Sequence, residues 1–119
     1  MASPLDAAVQ PDGSGARIIL TGRIDRDGDD VLNTAYSQAS VLGRGEIVMD
    51  FAPTDYINST GIALIVRLLA QARRDGRPVR ARGLSAHYRE IFRITRLSDF
   101  ITLEEGPEDR SVAVEGGAR

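Results

Sequence analysis

The sequence has no cysteine and no lysine, and it carries a single histidine in 119 residues. Without thiols there are no disulfides, thiolate metal sites or cysteine nucleophiles. The 15 basic side chains are all arginine, scattered among 17 carboxylates for a formal charge of −2. Neutralising a phosphate backbone requires a basic face, so nucleic acid is not an expected partner. No window reaches the roughly 18 apolar residues of a membrane span. The start, "MASPLDAAVQPDG", has neither a basic region nor an apolar one of the secretory kind. No membrane association and a cytoplasmic location are therefore expected. Internal repeats and low-complexity tracts are absent, and Gly43-Arg44-Gly45 lacks the rest of a phosphate-cradling spacing and precedes a strand rather than following one.

With 42% hydrophobic and 27% charged residues, the composition fits one soluble globular domain over residues 1–119, with a core from about 5 to 104 and a tail over 105–119. Leu5 to Gln10 and the β-branched "ARIILTG", Ala16 to Gly22, read as two strands joined through "PDGSG" as an antiparallel hairpin. Val31, Leu32, Ala35, Ala39 and Leu42 recur at helical spacing up to Gly43. "EIVMDF", Glu46 to Phe51, is almost continuously apolar, the pattern of a central strand covered on both faces. A helix from Ile62 to Ala72, stopped at Asp75-Gly76, leads to a strand from Pro78 to Gly83. Ser85 caps a third helix through Tyr88, Ile91, Phe92 and Thr95, "FITLEE" is a last strand, and the tail suggests a helical turn or two and a frayed end. This order predicts an α/β sandwich: a mixed, mainly parallel sheet of about five strands with helices packed on it.

Asp25, Asp27 and Asp29 alternate like the start of a calcium loop, but Asp30 stands where glycine is needed and Tyr36 where glutamate is. Carboxylates at a helix start, each worth roughly 0.3 to 1 kcal/mol against its dipole, account for them instead. His87, beside Ser85 in the first turn of a helix, reads as solvated surface, because nothing in the spacing brings a serine and an aspartate to it. The segment "MDFAPTDYINSTGIAL" holds more. Asn58, Ser59 and Thr60 are all residues that favour a helix N-cap. A cap uses one of the three, and the surplus hydroxyls, at the end of a strand, are placed for covalent modification. In the helix that follows, Ile62, Ile65, Val66 and Leu69 form the expected core stripe, while Leu64 and Leu68 fall on a second side that either a neighbouring helix or a protein partner covers.

"VMDFAPTDYINSTGIALIVRLLAQARRDG" resembles the signature of STAS domains, in particular the bacterial anti-sigma-factor antagonists, in which a strand leads through a short loop to Asp-Ser-Ser/Thr-Gly-Leu. "LTGRID" is similar to the family's Gly-x-Ile/Leu-Asp strand end, and "RARGLSAHYREIFRITRLSDFITL" to its later strand, helix and closing segment, so the likeness spans roughly Ala16 to Leu103. The resemblance implies a STAS-like sandwich acting as a binding module, with no catalysis and no cofactor. It implies as partner an anti-sigma factor that is a serine kinase, sequestered by the unmodified antagonist and released by phosphorylation, with a PP2C-type phosphatase to reset the switch. Ser59 matches the modified serine, with Thr60 as runner-up, and Gly61 matches the glycine that opens the helix. The partner surface expected from these readings comprises Asp25, Asn58, Ser59, Thr60, Gly61, Leu64 and Leu68. Asn58 stands where the family has aspartate, which changes the charge offered to a kinase. A non-phosphorylated scaffold of a stressosome-like or transport-associated complex is the alternative, and weak homodimerisation stays open. A small nucleotide-binding or hydrolytic domain is a third reading.

Overall fold

Alternating burial along the strands sets the architecture. A computed structural model describes residues 3–104. In β2 (Gly15–Ile24), Ala16, Ile18, Leu20 and Ile24 are fully enclosed, whereas Arg17, Ile19 and Arg23 between them are half-buried. β1 (Asp6–Asp12) lies antiparallel to β2, as the hairpin reading requires. β3 (Ile47–Asp50) and β5 (Val79–Arg82) continue the sheet in parallel, and the two-residue β6 (Thr102–Leu103) closes the order β1-β2-β3-β5-β6. The sixth strand, β4 (Thr54–Ile57), falls where the sequence suggested only a loop. It follows Pro53, whose carbonyl accepts from the Gly22 amide at 3.2 Å, and pairs in parallel with the upper part of β2.

Among the described residues three α-helices accompany the sheet: α1 (Asp29–Ser40), α2 (Ser59–Arg74) and α3 (Ala86–Ile94). Their buried residues meet Ile18, Leu20, Ile47, Met49, Val79 and Ala81 in one core, and Phe92 of α3 stands edge-on to Phe51 at 5.9 Å between ring centroids. β3 is central, but not covered on both faces as its composition suggested. Only Ile47 and Met49 are buried, while Val48 and Asp50 are half-buried on the opposite face. There the cross-strand register aligns Gln10, Arg17, Val48 and Arg80 in one row, flanked by the ion pairs Arg17–Asp12 at 3.1 Å and Arg80–Glu46 at 3.2 Å. An apolar residue can occupy such a half-solvated face without cost, which is why composition alone overstated the layering.

α1 ends at Ser40, three residues short of Gly43, and Arg77 explains how its end is satisfied: the guanidinium donates to the Ser40 carbonyl at 3.1 Å and to Gly45 at 2.8 Å. The Tyr36 hydroxyl donates to Asp75 at 2.6 Å, tying α1 to the C-cap of α2. Ser85 caps α3 as expected, accepting from the Tyr88 amide at 3.3 Å. The expected helical turn and frayed end of 105–119 lie outside the described residues.

Candidate interaction site

The site forms where β2 and β4 end side by side. β2 changes partner from β3 to β4 through a register shift at Gly22, whose φ of 97° favours glycine. Beyond the shift Ile24 aligns with Ile57, and the Asn58 amide donates to the Ile24 carbonyl at 3.2 Å. The residues that follow each strand, Asp25 on one side and Asn58 to Gly61 on the other, are thereby neighbours. Asp25 accepts from the Asp27 amide at 3.0 Å to cap the 3-10 turn Arg26–Gly28, and Arg23 donates to it at 2.7 Å. The bonded Arg23 guanidinium holds the Asp25 carboxyl below its ordinary range, so a negative charge is fixed at this edge of the site.

Asn58 is the N-cap of α2: its side-chain oxygen accepts from the Gly61 amide at 2.8 Å. That leaves Ser59 and Thr60 free of the capping task. Both are exposed, and neither hydroxyl forms a hydrogen bond among the described residues. Gly61, expected at the partner surface, is instead buried, and a Cβ there would meet the Ile24 carbonyl oxygen at 2.1 Å. Its role is close approach: the absence of a side chain lets the first turn of α2 rest on the end of β2.

That contact also fixes how α2 is rotated. The buried stripe runs Gly61, Ile65, Leu68, Leu69 and Ala72. Leu68, expected at the partner surface, is a core residue, 6% exposed. Val66, expected in the core stripe, is 44% exposed. Leu64 and Ile62 are half-buried and pack against the core edge. The spacing of large apolar side chains centres the stripe too far from Gly61, because glycine carries no hydrophobic signal although its close approach to β2 orients the helix. Tyr56, two residues before Asn58 on β4, is half-exposed beside this segment.

The acidic run behaves as helix-start chemistry. Asp29 and Asp30 open α1, and Asp29 pairs with Arg67 of α2, while Asn33 donates to it at 3.2 Å. Among the described residues no group of histidine, aspartate or glutamate side chains is arranged to hold a metal ion. His87 is exposed, its ring 4.9 Å from that of Tyr88. No described helix is long and apolar enough to cross a membrane.

Comparison with known proteins agrees with this architecture. A family model described as "Mlab, STAS domain" matches residues 7–104. No curated protein matches the chain. Among solved structures, the unphosphorylated anti-sigma factor antagonist SpoIIAA superposes with a TM-score of 0.64 at 14% identity, over 96% of this chain and 99% of that one. An anti-sigma factor antagonist from Mycobacterium paratuberculosis gives 0.64 at 17% identity, over 97% and 99%. The phosphorylated form of SpoIIAA, a Bacillus cell fate determinant, gives 0.58 at 15%, over 92% and 99%. At such identities the likeness is one of fold. The six-stranded mixed sheet, the α2 start at Asn58-Ser59-Thr60-Gly61 and the family match over most of the chain together make this a member of the STAS domain family.

Proposed function

We propose that this domain is an anti-sigma-factor antagonist: a binding module without catalysis that sequesters a serine-kinase-type anti-sigma factor and is switched off by phosphorylation of Ser59. The observation that carries the reading is the exposed Ser59 hydroxyl, released from any structural task because Asn58 supplies the cap. The partner covers Asp25, Asn58, Ser59, Thr60 and the half-buried Leu64, while the enclosed Gly61 supports this surface from beneath. A phosphate there adds about −1.5 to −2 charge at the positive end of a helix dipole, where backbone amides solvate it, so the free domain keeps its fold. A partner that buries Ser59 has to desolvate that charge, and the complex bears the cost. A PP2C-type phosphatase resets the switch.

The test is incubation with ATP and the kinase-fold anti-sigma factor encoded nearest in the genome, read by intact mass. One phosphate is expected on the wild type and none on Ser59→Ala, with Thr60→Ala behaving as wild type. No phosphate on the wild type, with the partner still bound, overturns the switch. Asn58, a neutral residue where the family has aspartate, favours a second reading in that event: a constitutive STAS scaffold of a stressosome-like or transport-associated complex, seen as a large particle by light scattering. Nucleotide titration of the chain alone tests the third reading, a nucleotide-binding or hydrolytic domain.

A further inference from the structure

Ser59, Ala63, Val66, Ala70 and Arg73 recur at three- and four-residue steps and lie along one side of α2, away from the core stripe. Over the second half of the helix this side borders a groove of about 440 Å3. Its apolar lining is Val66, Leu69, Ala70, Leu97 and Phe100, and its charged lining is Arg73, Arg74 and Arg96, with no carboxylate. Val66 and Phe100 are two of the domain's few exposed large hydrophobic residues, at 44% and 47%, and a third, Ile94 at 70%, directly precedes the groove residue Thr95. The Arg73 guanidinium stands 5.1 Å over the Phe100 ring, and Arg74 donates to the Gln71 side chain and lies within electrostatic reach of Asp75, so neither guanidinium is hydrogen-bonded to a carboxylate among the described residues. Arg96 pairs with Asp99 at 2.9 Å. Its φ of 68° makes it the one residue other than glycine in the left-handed region among those described. It follows the C-cap of α3, a position that glycine usually fills, and a side chain there costs about 1 kcal/mol. An arginine is thus held at the groove rim at the expense of backbone strain.

We propose that this groove is a second docking site, which takes an acidic amphipathic segment of the same protein partner that covers Ser59. The inference rests on the reading of Ser59 as part of a partner interface. The apolar face of the segment fills the floor between Val66 and Phe100, and its carboxylates meet Arg73, Arg74 and Arg96. Val66 is two helical turns from Ser59, about 10 Å at 1.5 Å per residue, so one partner lying along α2 spans both.

The probe is a stapled helical peptide with leucine at every third and fourth position and glutamate elsewhere, titrated into the 15N-labelled full chain, beside a counterpart with lysine for glutamate. The glutamate peptide is expected to shift the amides of Val66, Ala70, Leu97 and Phe100, to bind about tenfold tighter than the lysine peptide and to weaken with salt. Arg73→Glu is expected to weaken it about tenfold, and Arg96→Gly to weaken it while leaving the melting temperature unchanged or raised. Equal binding of both peptides, shifts outside the groove, groove shifts on simple self-association of the chain, or a groove open only after removal of residues 105–119 would each overturn the proposal. Ser59→Glu should leave the peptide affinity unchanged, so failure of the groove is read separately from failure of the Ser59 switch. Affinity of the kinase-fold partner itself unaltered by Arg73→Glu would refute the shared partner.

Discussion

Gly61→Ala sets two effects of opposite sign against each other. Alanine inside a helix is favoured over glycine by about 1 kcal/mol, and Gly61 is the third residue of α2. Against this, the new Cβ would stand 2.1 Å from the Ile24 carbonyl oxygen, where real Cβ contacts stay beyond 3.0 Å. The atom met is backbone in a paired strand and cannot rotate away, so the start of α2 has to retreat by about an ångström, stretching the Asn58 amide bond to that same carbonyl. Overpacking of this kind costs up to about 3 kcal/mol, so sterics outweigh propensity and the net loss is about 2 kcal/mol. At the usual unfolding entropy per residue, a chain of 119 residues should melt about 8 °C lower. The assay is urea unfolding with a thermal scan, beside Ala63→Gly, an exposed site on the same helix where the reverse exchange costs only the propensity. A Gly61→Ala protein as stable as wild type, or more so, would refute the argument that close approach to β2 determines how α2 sits.

Asn58→Ala removes the cap and should cost about 1 kcal/mol by urea unfolding, whereas Asn58→Asp keeps the acceptor for the Gly61 amide, adds a favourable charge and should be neutral to stabilising by a few tenths. Leu68→Ala should cost about 2 to 5 kcal/mol in unfolding free energy, as a core deletion, while Leu64→Ala at the core edge costs less and reports on partner affinity instead. The Tyr36–Asp75 bond should make stability pH-dependent at both extremes. The Asp75 carboxyl is held below its ordinary 3.8, first by the Tyr36 hydroxyl and then by Gln71, so its contribution is present above 3.8 and is lost as the pH falls through the folded value. Tyr36, pushed up to about 12 by burial and by Asp75, favours the fold fully below pH 10 and loses that contribution between 10 and about 12. Tyr36→Phe should flatten the alkaline limb of a urea-denaturation pH series and reduce the acid one.

Local chemistry made much of this domain legible. Ser85 caps its helix as its sequence position indicates, and one of Asn58, Ser59 and Thr60 was expected to cap α2, which Asn58 does, because a cap is decided within a few residues of sequence. The hairpin followed from Gly13 and its neighbours, and the β3-α2-β5 crossover from a strand, a helix and a strand in succession. Features that depend on distant partners were not legible. β4 is a strand because β2, thirty residues earlier, turns toward it after Gly22, and "TDYI" by itself carries too little apolar content to say so. The rotation of α2 depends on how closely Gly61 approaches Ile24, so Leu68 and Val66 exchanged the places expected of them. The groove is a joint product of α2 and the segment after α3, with Arg73 and Phe100 far apart in sequence, and no single periodicity signals it.

The charge distribution along α2 bears on how a switch at Ser59 would act. The first turn has no carboxylate, and the last turn carries Arg73 and Arg74. Cations at the C-terminus complement the dipole, while the amino end is left with its positive partial charge met only by the neutral Asn58. In a domain with aspartate at this cap, part of that charge is already neutralised before any phosphate arrives. Here a phosphate on Ser59 would act on a helix start without a carboxylate in its first turn, while Asp25 at the neighbouring strand end is engaged by Arg23. On the proposed reading, asparagine in place of the family aspartate would weaken what a kinase reads in the unmodified loop and enlarge what the modification changes, two consequences of one neutral side chain that pull the proposed switch in opposite directions.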